Sequence, residues 1–320
     1  MATQHIDVLI VGAGVSGLTT AVRLAERGYR VQIRAERRPQ LTTSCAAGAL
    51  WGPVGASHGR MAEWSHETLL KLIGIAGDPD AGVRLVHGLE ASYTGMSRPS
   101  WLEGLPDLSE SAAGDLPPGY LSGWRYTAPI VDMPVYLRYL ERLLDAAGIG
   151  IETVRVTSLH EAAREAPVVV NCTGSGAREL VPDVEVVPER GQLVVVENPG
   201  VDEFFCDAEH APEMTYFLPH GDRMVLGSTA HPARDDADYD PALAERIVRR
   251  CATIRPELRR ARVLGHRVGF RPTRTHIRVE REALGGRHLI HNYGHGGGGV
   301  SLSWGCAGAV ADLVDELALR

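Results

Sequence analysis

The chain has 320 residues, 44% of them hydrophobic and 23% charged, the balance of a soluble globular protein with core enough for one large domain or two ordinary ones. A net charge of −7, with arginines scattered along the chain and Lys71 the only lysine, argues against a nucleic-acid partner. Five widely spaced cysteines (Cys45, Cys172, Cys206, Cys251, Cys306) are odd in number and include no C-x-x-C pair, which argues against a disulfide framework or a structural zinc site and for a reducing compartment.

The chain opens directly into a strand without a charged leader, and no apolar run approaches the length of a membrane span; a cytoplasmic protein without a membrane partner is expected. Val8 to Val11 read as a strand buried on both faces, and Ser16 to Arg27 as a helix closed by Gly28. Between them Gly12, Gly14 and Gly17 form G-x-G-x-x-G in the strand-to-helix context the motif needs. Gly12 permits the tight turn, Gly14 the approach of a pyrophosphate, and Gly17 close packing of helix on strand. Val15 and Ser16 lie at the start of this helix, Val15 just before it, and its unpaired N–H groups and positive dipole end suit phosphate. A strand from Tyr29 to Arg34 leads to Glu36 and Arg37, where a carboxylate can take a ribose hydroxyl. An ADP-containing cofactor is expected; FAD and NAD both remain open at this point.

Leu41 to Pro53 is small and polar before Trp51, a stretch able to run against a flat cofactor with the hydroxyls of Thr42, Thr43 and Ser44 nearby. A helix follows from Met61 to Ile75, then a Gly-, Pro- and Ser-rich surface excursion from Ala91 to Pro118. Asp132 is read as the N-cap of a helix through Ala147 ended by Gly148, before a strand from Ile149 to Val156. Ser158 and Glu161 form a capping box. The strand Val168 to Cys172 ends in N-C-T-G, which places Gly174 at the cofactor edge of an open sheet.

From Val184 the chain reads as β-rich, with strands Gln192 to Glu197, Thr215 to Pro219, Arg223 to Gly227 and Val263 to Phe270. A hairpin turn lies at His220-Gly221-Asp222, and a helix from Pro241 to Ile254 is capped by Asp240. A strand from His288 to Asn292, a glycine run and a final helix from Leu302 to Leu317 complete the chain. The fold class is α/β: a discontinuous Rossmann-like nucleotide domain from 1–55, 143–190 and 275–320, and a mostly antiparallel substrate domain from 56–142 and 191–274. His291 and His295 are four apart on a strand and loop rather than a helix, so no metal site is expected.

Leu289 to Ala307, L-I-H-N-Y-G-H-G-G-G-G-V-S-L-S-W-G-C-A, brings bare backbone and a helix N-terminus to a planar ligand, a feature suited to a flavin. This stretch resembles the signature of the D-amino-acid oxidase family. The resemblance covers nearly the whole chain, through G-A-G-V-S-G, L-T-T-S-C-A-A-G-A-L-W-G-P, N-C-T-G, R-G-Q at Arg190 to Gln192 and G-F-R-P at Gly269 to Pro272. It implies FAD as cofactor, and oxidative deamination of a D-amino acid by hydride transfer from Cα to flavin N5, with O2 as acceptor. It places the substrate carboxylate on Arg271 and Tyr216, and the substrate amine on the carbonyl of Gly297. Val156 is assigned to the adenine and Glu36 to the ribose, with Thr42, Thr43, Gly48, Leu50 and Trp51 beside the flavin. Gly296, Gly297, Gly298, Gly299, Val300 and Ser301 complete the expected cofactor contacts.

The sequence departs from the family at Pro212, where animal members carry a lid tyrosine, at Val54 and Gly52 near the W-x-P motif, and in a shorter stretch from Phe204 to Thr215. A more open site is therefore expected. Neutral, apolar D-amino acids are favoured over acidic ones, because the residues before Tyr216 include Asp207, Glu209 and Glu213 and no arginine. A D-aspartate oxidase, a glycine or sarcosine oxidase and a non-catalytic nucleotide-binding sensor stand as alternatives. A homodimer is compatible with the sequence.

Overall fold

In the computed structural model, residues 5–53, 57–207, 209, 213–232 and 236–318 are described. The first half contains β1 (Val8–Val11), α1 (Val15–Glu26), β2 (Val31–Ala35), α2 (Met61–Ile75), β3 (Val83–Ser92), β4 (Ser109–Glu110), β5 (Ser122–Val131) and α3 (Met133–Ala146). There follow β6 (Ile151–Thr153), α4 (Leu159–Ala162), β7 (Val168–Asn171), α5 (Ala177–Leu180), β8 (Val187–Glu197), β9 (Phe204–Asp207), β10 (Tyr216–His220) and β11 (Arg223–Gly227). The chain ends with β12 (His231–Pro232), α6 (Pro241–Ile254), β13 (Val263–Leu284), β14 (Arg287–His295) and α7 (Gly299–Asp315). No helix among the described residues is long and apolar enough to cross a membrane.

Among the described residues thirteen strands form a single path, β4-β5-β3-β9-β10-β11-β8-β13-β14-β7-β1-β2-β6, and β12 pairs with β8 off it. Its β14-β7-β1-β2-β6 end is parallel, as βαβ crossovers require. Every residue of β1 and β7 is buried, which explains the apolar runs Val8 to Val11 and Val168 to Val170. The remaining pairings are antiparallel except β3 with β9. β13 joins the two halves, because its first part pairs with β8 and its second with β14.

The main apolar core lies between the parallel strands and α1, α3 and α7, while a second core packs β10, β11 and β8 against α6. α7 packs on both α1 and α2. Its approach to α2 is backbone on backbone: a Cβ on Gly305 would stand 2.2 Å from the Trp64 Cα. Of the sequence-predicted caps, Asp240 accepts from the N–H groups of Ala242 and Leu243, and the Ser158 hydroxyl accepts from Glu161 N–H. Asp132 occupies the N-cap position of α3, yet its carboxylate accepts no helix N–H and instead takes Arg223 Nη2 at 2.9 Å.

Several boundaries differ from the sequence reading. β3 and β5 form a ten-residue antiparallel pair that flanks the expected surface excursion. Gly88 and Glu90 in β3, and Gly123 and Pro129 in β5, broke the strand signal in residues whose inner faces are buried. β13 runs on to Leu284, beyond Pro272, with an irregular register between Thr273 and Arg278. β6 is shorter than predicted, and α7 begins within the glycine run at Gly299 rather than at Leu302. The boundaries expected at 142/143 and 274/275 fall inside α3 and inside β13.

Candidate active site

A cavity of about 1060 Å³ runs across the carboxyl ends of β1 and β7 and beneath the antiparallel strands. At its nucleotide end the three glycines do separate jobs. Gly12 has φ 115°, and a Cβ there would stand 2.4 Å from the Cys172 carbonyl oxygen. A Cβ on Gly17 would stand 2.0 Å from the Gly12 carbonyl oxygen, so α1 can sit on this turn only without a side chain at that position. Gly14 keeps clear the space beside Ser44, whose hydroxyl accepts from Val15 N–H at 2.9 Å. Glu36 follows β2 with an exposed carboxylate, and Arg155 lies 4.0 Å away.

At the other wall, Gly296 to Gly298 make a tight turn into α7, with Gly296 at φ 54° and no side-chain cap on the helix. The first N–H groups of α7 therefore lack an intrahelical partner next to the cavity. Ser301 Oγ accepts from Gly52 N–H at 3.1 Å and ties the Leu41–Pro53 stretch to this helix. Two buried polar atoms on the same wall, His295 Nε2 and Asn292 Oδ1, have no hydrogen-bond partner among the described residues. Burial pushes the His295 imidazole down to about 4, which keeps it neutral. A glycine cradle, an uncapped helix and unpaired buried polar atoms together fit a long ligand with a phosphate middle and a planar, polar-edged end.

The other end of the cavity is built on the antiparallel strands. Arg271 stands opposite Glu189 in the β13–β8 register and donates Nη1 to Glu189 Oε1 at 3.0 Å and to the Thr229 carbonyl at 3.0 Å. Nη2 donates to Ser228 Oγ at 3.1 Å. A guanidinium has five N–H donors, so two remain for an incoming carboxylate. Gly191 lies beneath the guanidinium, where a Cβ would stand 3.0 Å from Nη1. Tyr216 leans over Gly227, where a Cβ would stand 2.2 Å from its Cζ, and its hydroxyl would meet a Cβ on Gly48 at 2.8 Å. Burial pushes the phenol up to about 12, opposed by the nearby Arg271 charge and the Ser228 hydroxyl, so it is a neutral donor at ordinary pH. Beyond these residues the wall is aromatic. Trp51 meets Trp101 edge-on at 5.8 Å, and Trp101 meets Tyr126 in the same manner at 6.0 Å.

The chain matches the family described as FAD dependent oxidoreductase over residues 7–313. It is 45% identical over 308 residues to a D-amino-acid oxidase of Rubrobacter xylanophilus, covering 95% of this chain and 94% of that protein. It belongs to the D-amino-acid oxidase family of FAD-dependent oxidoreductases. A D-amino-acid oxidase of Streptomyces coelicolor is 46% identical over 313 residues, 96% of each chain. Among solved structures, the glycine oxidase of Geobacillus kaustophilus superposes with a TM-score of 0.81 at 21% identity, covering 98% of this chain and 95% of that one, and so shares the fold.

As a member of this family the protein is an FAD-dependent oxidoreductase. The cavity brings together nearly all the residues singled out from the sequence. Gly12, Gly14, Val15, Ser16, Glu36 and Arg37 line it, as do Thr42, Thr43, Ser44, Gly48, Leu50 and Trp51. So do Val156, Gly174, Tyr216, Arg271, Gly296, Gly297, Gly299, Val300 and Ser301. Gly17 and Gly298 do not line it: Gly17 is spent on the packing of α1 against the β1 turn, and Gly298 is buried behind the wall. Gly48 lines it but also makes room for Tyr216.

Of the acids before Tyr216, Asp207 lines the cavity, Glu213 pairs with Arg246 and Arg250, and Glu209 accepts from Ser92 and Thr94. Val54 and Pro212 lie outside the described residues. His291 sits beside Glu282 and His295 in the cavity wall, and among the described residues no group of three or more His, Cys, Asp or Glu side chains is placed to hold a metal. Sequence reasoning missed Glu189, Ser228, Glu90, Trp101 and Tyr126. Strand register, which pairs residues far apart in the chain, places Glu189, Glu90 and Tyr126, while Ser228 follows the end of β11 and Trp101 sits in a short helical turn at Ser100–Leu102.

Proposed function

We propose that this protein oxidatively deaminates neutral D-amino acids to α-keto acids and ammonia, with O2 reduced to hydrogen peroxide, in a reducing, cytoplasmic setting. The observation that carries the reading is Arg271, which keeps two guanidinium donors unspent beside the neutral Tyr216 phenol in the cavity that Gly297 also lines. Arg271 takes the substrate carboxylate bidentately, a task its planar fork performs and a lysine would not. Tyr216 donates to the same carboxylate. The Gly297 carbonyl accepts from the amine, which fixes the substrate at two points, and the cavity wall that receives the side chain is the third that selects the hand of Cα. FAD, when bound along Gly12–Gly17 and the α7 N-terminus, supplies the two-electron acceptor. His295, the histidine of the cavity wall, is held neutral and buried, so the chain contributes chiefly orientation and exclusion of water.

The apolar wall of Met96, Trp101, Met214 and Leu218 suits uncharged side chains. Arg37 and Arg155 line the nucleotide end beside Glu36 and Glu179, which leaves Arg271 as the cation of the substrate end among the described residues. The test is the visible spectrum of the purified holoprotein under anaerobic conditions. D-alanine is expected to bleach the flavin band and L-alanine to leave it intact. A yellow protein bleached by D-aspartate alone, by glycine alone, or by none of these would overturn the reading.

A further inference from the structure

We infer that Arg250, on the face of the sheet away from the cavity, is a positioning residue for the carboxylate clamp: from one nitrogen it holds the two main-chain carbonyls that set Arg271 and Tyr216 side by side. This rests on the proposed oxidation of D-amino acids, with Arg271 and Tyr216 as the clamp.

The argument begins with the sheet. Tyr216 opens β10 and pairs with Gly227, the last residue of β11. Successive residues of a strand face opposite ways. Tyr216 looks into the cavity, while Phe217 packs in the second core with Ala244, Ile247 and Cys251 of α6. α6 therefore lies behind the clamp. Arg250 follows Ile247 by three residues and so belongs to the stripe of α6 that meets the sheet, yet it does not line the cavity. A guanidinium there carries a desolvation cost that an apolar side chain would avoid.

What Arg250 supplies is direction. Just past the strand ends, Ser228 N–H donates to the Met214 carbonyl at 2.6 Å and ties the two chains together. Arg250 Nη2 stands behind this closure and donates to the Met214 carbonyl at 3.1 Å and to the Ser228 carbonyl at 3.0 Å, one N–H for each. Its Nη1 donates to the Glu213 carboxylate, which Arg246 also meets, so the fork is itself held in place. Ser228 is fully buried, and each of its polar groups is used. Its N–H goes to Met214 and its carbonyl to Arg250, while its hydroxyl accepts from Arg271 Nη2 at 3.1 Å beside the Tyr216 phenol. The next carbonyl, of Thr229, accepts from Arg271 Nη1 at 3.0 Å. Met214 lies two residues before Tyr216. A shift of either carbonyl held by Arg250 thus moves one donor of the clamp relative to the other, and a carboxylate bound by both is sensitive to that spacing.

The experiment measures KM and kcat per bound flavin for D-alanine, and Kd for hexanoate, a carboxylate with no amine, from the change it causes in the flavin spectrum. It compares the wild-type holoenzyme with Arg250→Met, Ser228→Ala and the double variant. Methionine keeps an apolar stem and removes the fork. Arg250→Met is expected to raise KM and the hexanoate Kd about tenfold, with kcat per bound flavin within about twofold of wild type, as for a residue that touches no ligand but sets those that do. Because both residues act on Arg271 through one peptide unit, the double variant is expected to be little weaker than the weaker single variant. Effects that multiply would place Arg250 outside the Ser228 route and overturn the inference. So would an unchanged KM and Kd in Arg250→Met, or a loss of kcat or of bound flavin at constant KM, which is the mark of a purely structural residue. Should Arg250→Met fail to fold, Arg250→Lys decides: the shorter side chain keeps the charge but not the fork, and KM is expected to rise. A wild-type KM with lysine would overturn the inference. A wild-type holoenzyme that neither oxidises a D-amino acid nor binds hexanoate would remove the oxidase reading and the inference with it. One that does both leaves that reading standing, and the variants then judge Arg250 alone.

Discussion

At the scale of single residues, Arg271 is held before any substrate arrives. Glu189, Thr229 and Ser228 fix the guanidinium at three donors, so a carboxylate meets an oriented fork rather than a mobile side chain. Arg271→Ala is expected to cost about 2–5 kcal/mol in kcat/KM for D-alanine, mainly through KM, with FAD retained. Wild-type kinetics in that variant would remove the clamp. Glu189 also shares the Arg271 charge, which the proposed clamp would offer to a carboxylate. Glu189→Gln keeps an acceptor near Nη1 while deleting the negative charge, so KM for D-alanine should fall by about 0.5–1 kcal/mol, the scale of a partly exposed ion pair. A rise in KM instead would mean that Glu189 acts through position alone. Arg271 was legible from G-F-R-P, but Glu189 was not, because eighty-odd residues separate the partners and only the β13–β8 register sets them face to face.

Among the elements, legibility followed local signals. β1, α1, α2 and α6 carry their own periodicity, glycines and caps, and the sequence reading met them within a residue or two. β3 and β5 carry no such signal, since Glu90 and Arg125 sit within them and their burial is imposed by neighbours in the sheet. The start of α7 was hidden for the opposite reason: Gly299 has poor helix propensity and is helical because the turn before it and the packing behind it leave no alternative. That packing makes a test. Gly305 lets α7 touch the α2 backbone at Trp64, and a methyl group there has nowhere to go. Gly305→Ala is expected to destabilise the protein by about 1–3 kcal/mol, read as a lower urea midpoint, even though Gly305 lies off the cavity. Because the N-terminus of the same helix forms the cavity wall, FAD should also dissociate more readily from the variant, seen as a lower ratio of flavin to protein absorbance. A variant as stable as the wild type would show that the two helices can part without loss.

In the molecule as a whole, one continuous sheet places the cofactor and substrate ends on a single cavity, with β13 as the strand common to both. Stability and cofactor binding should therefore move together. A ligand bound only by the folded state stabilises it by mass action, about 2.7 kcal/mol at a hundredfold excess over Kd, so the apoprotein should unfold at lower urea than the holoprotein. The apoprotein should also be acid-sensitive in a way traceable to His295. Its folded-state pKa is depressed to about 4 by burial, below the ordinary value of 6.5, so between these values the unfolded chain binds a proton that the folded chain refuses. The sign follows: this contribution is fully present above about pH 6.5 and is lost progressively as pH falls toward 4. Its full size is on the order of 3 kcal/mol. Urea midpoints of the apoprotein measured at pH 7.5 and pH 5 should therefore differ, and His295→Gln, which cannot take up the proton, should narrow the difference. Equal pH dependence in the variant and the wild type would place the acid sensitivity elsewhere in the fold and leave His295 as a neutral packing residue of the cavity wall.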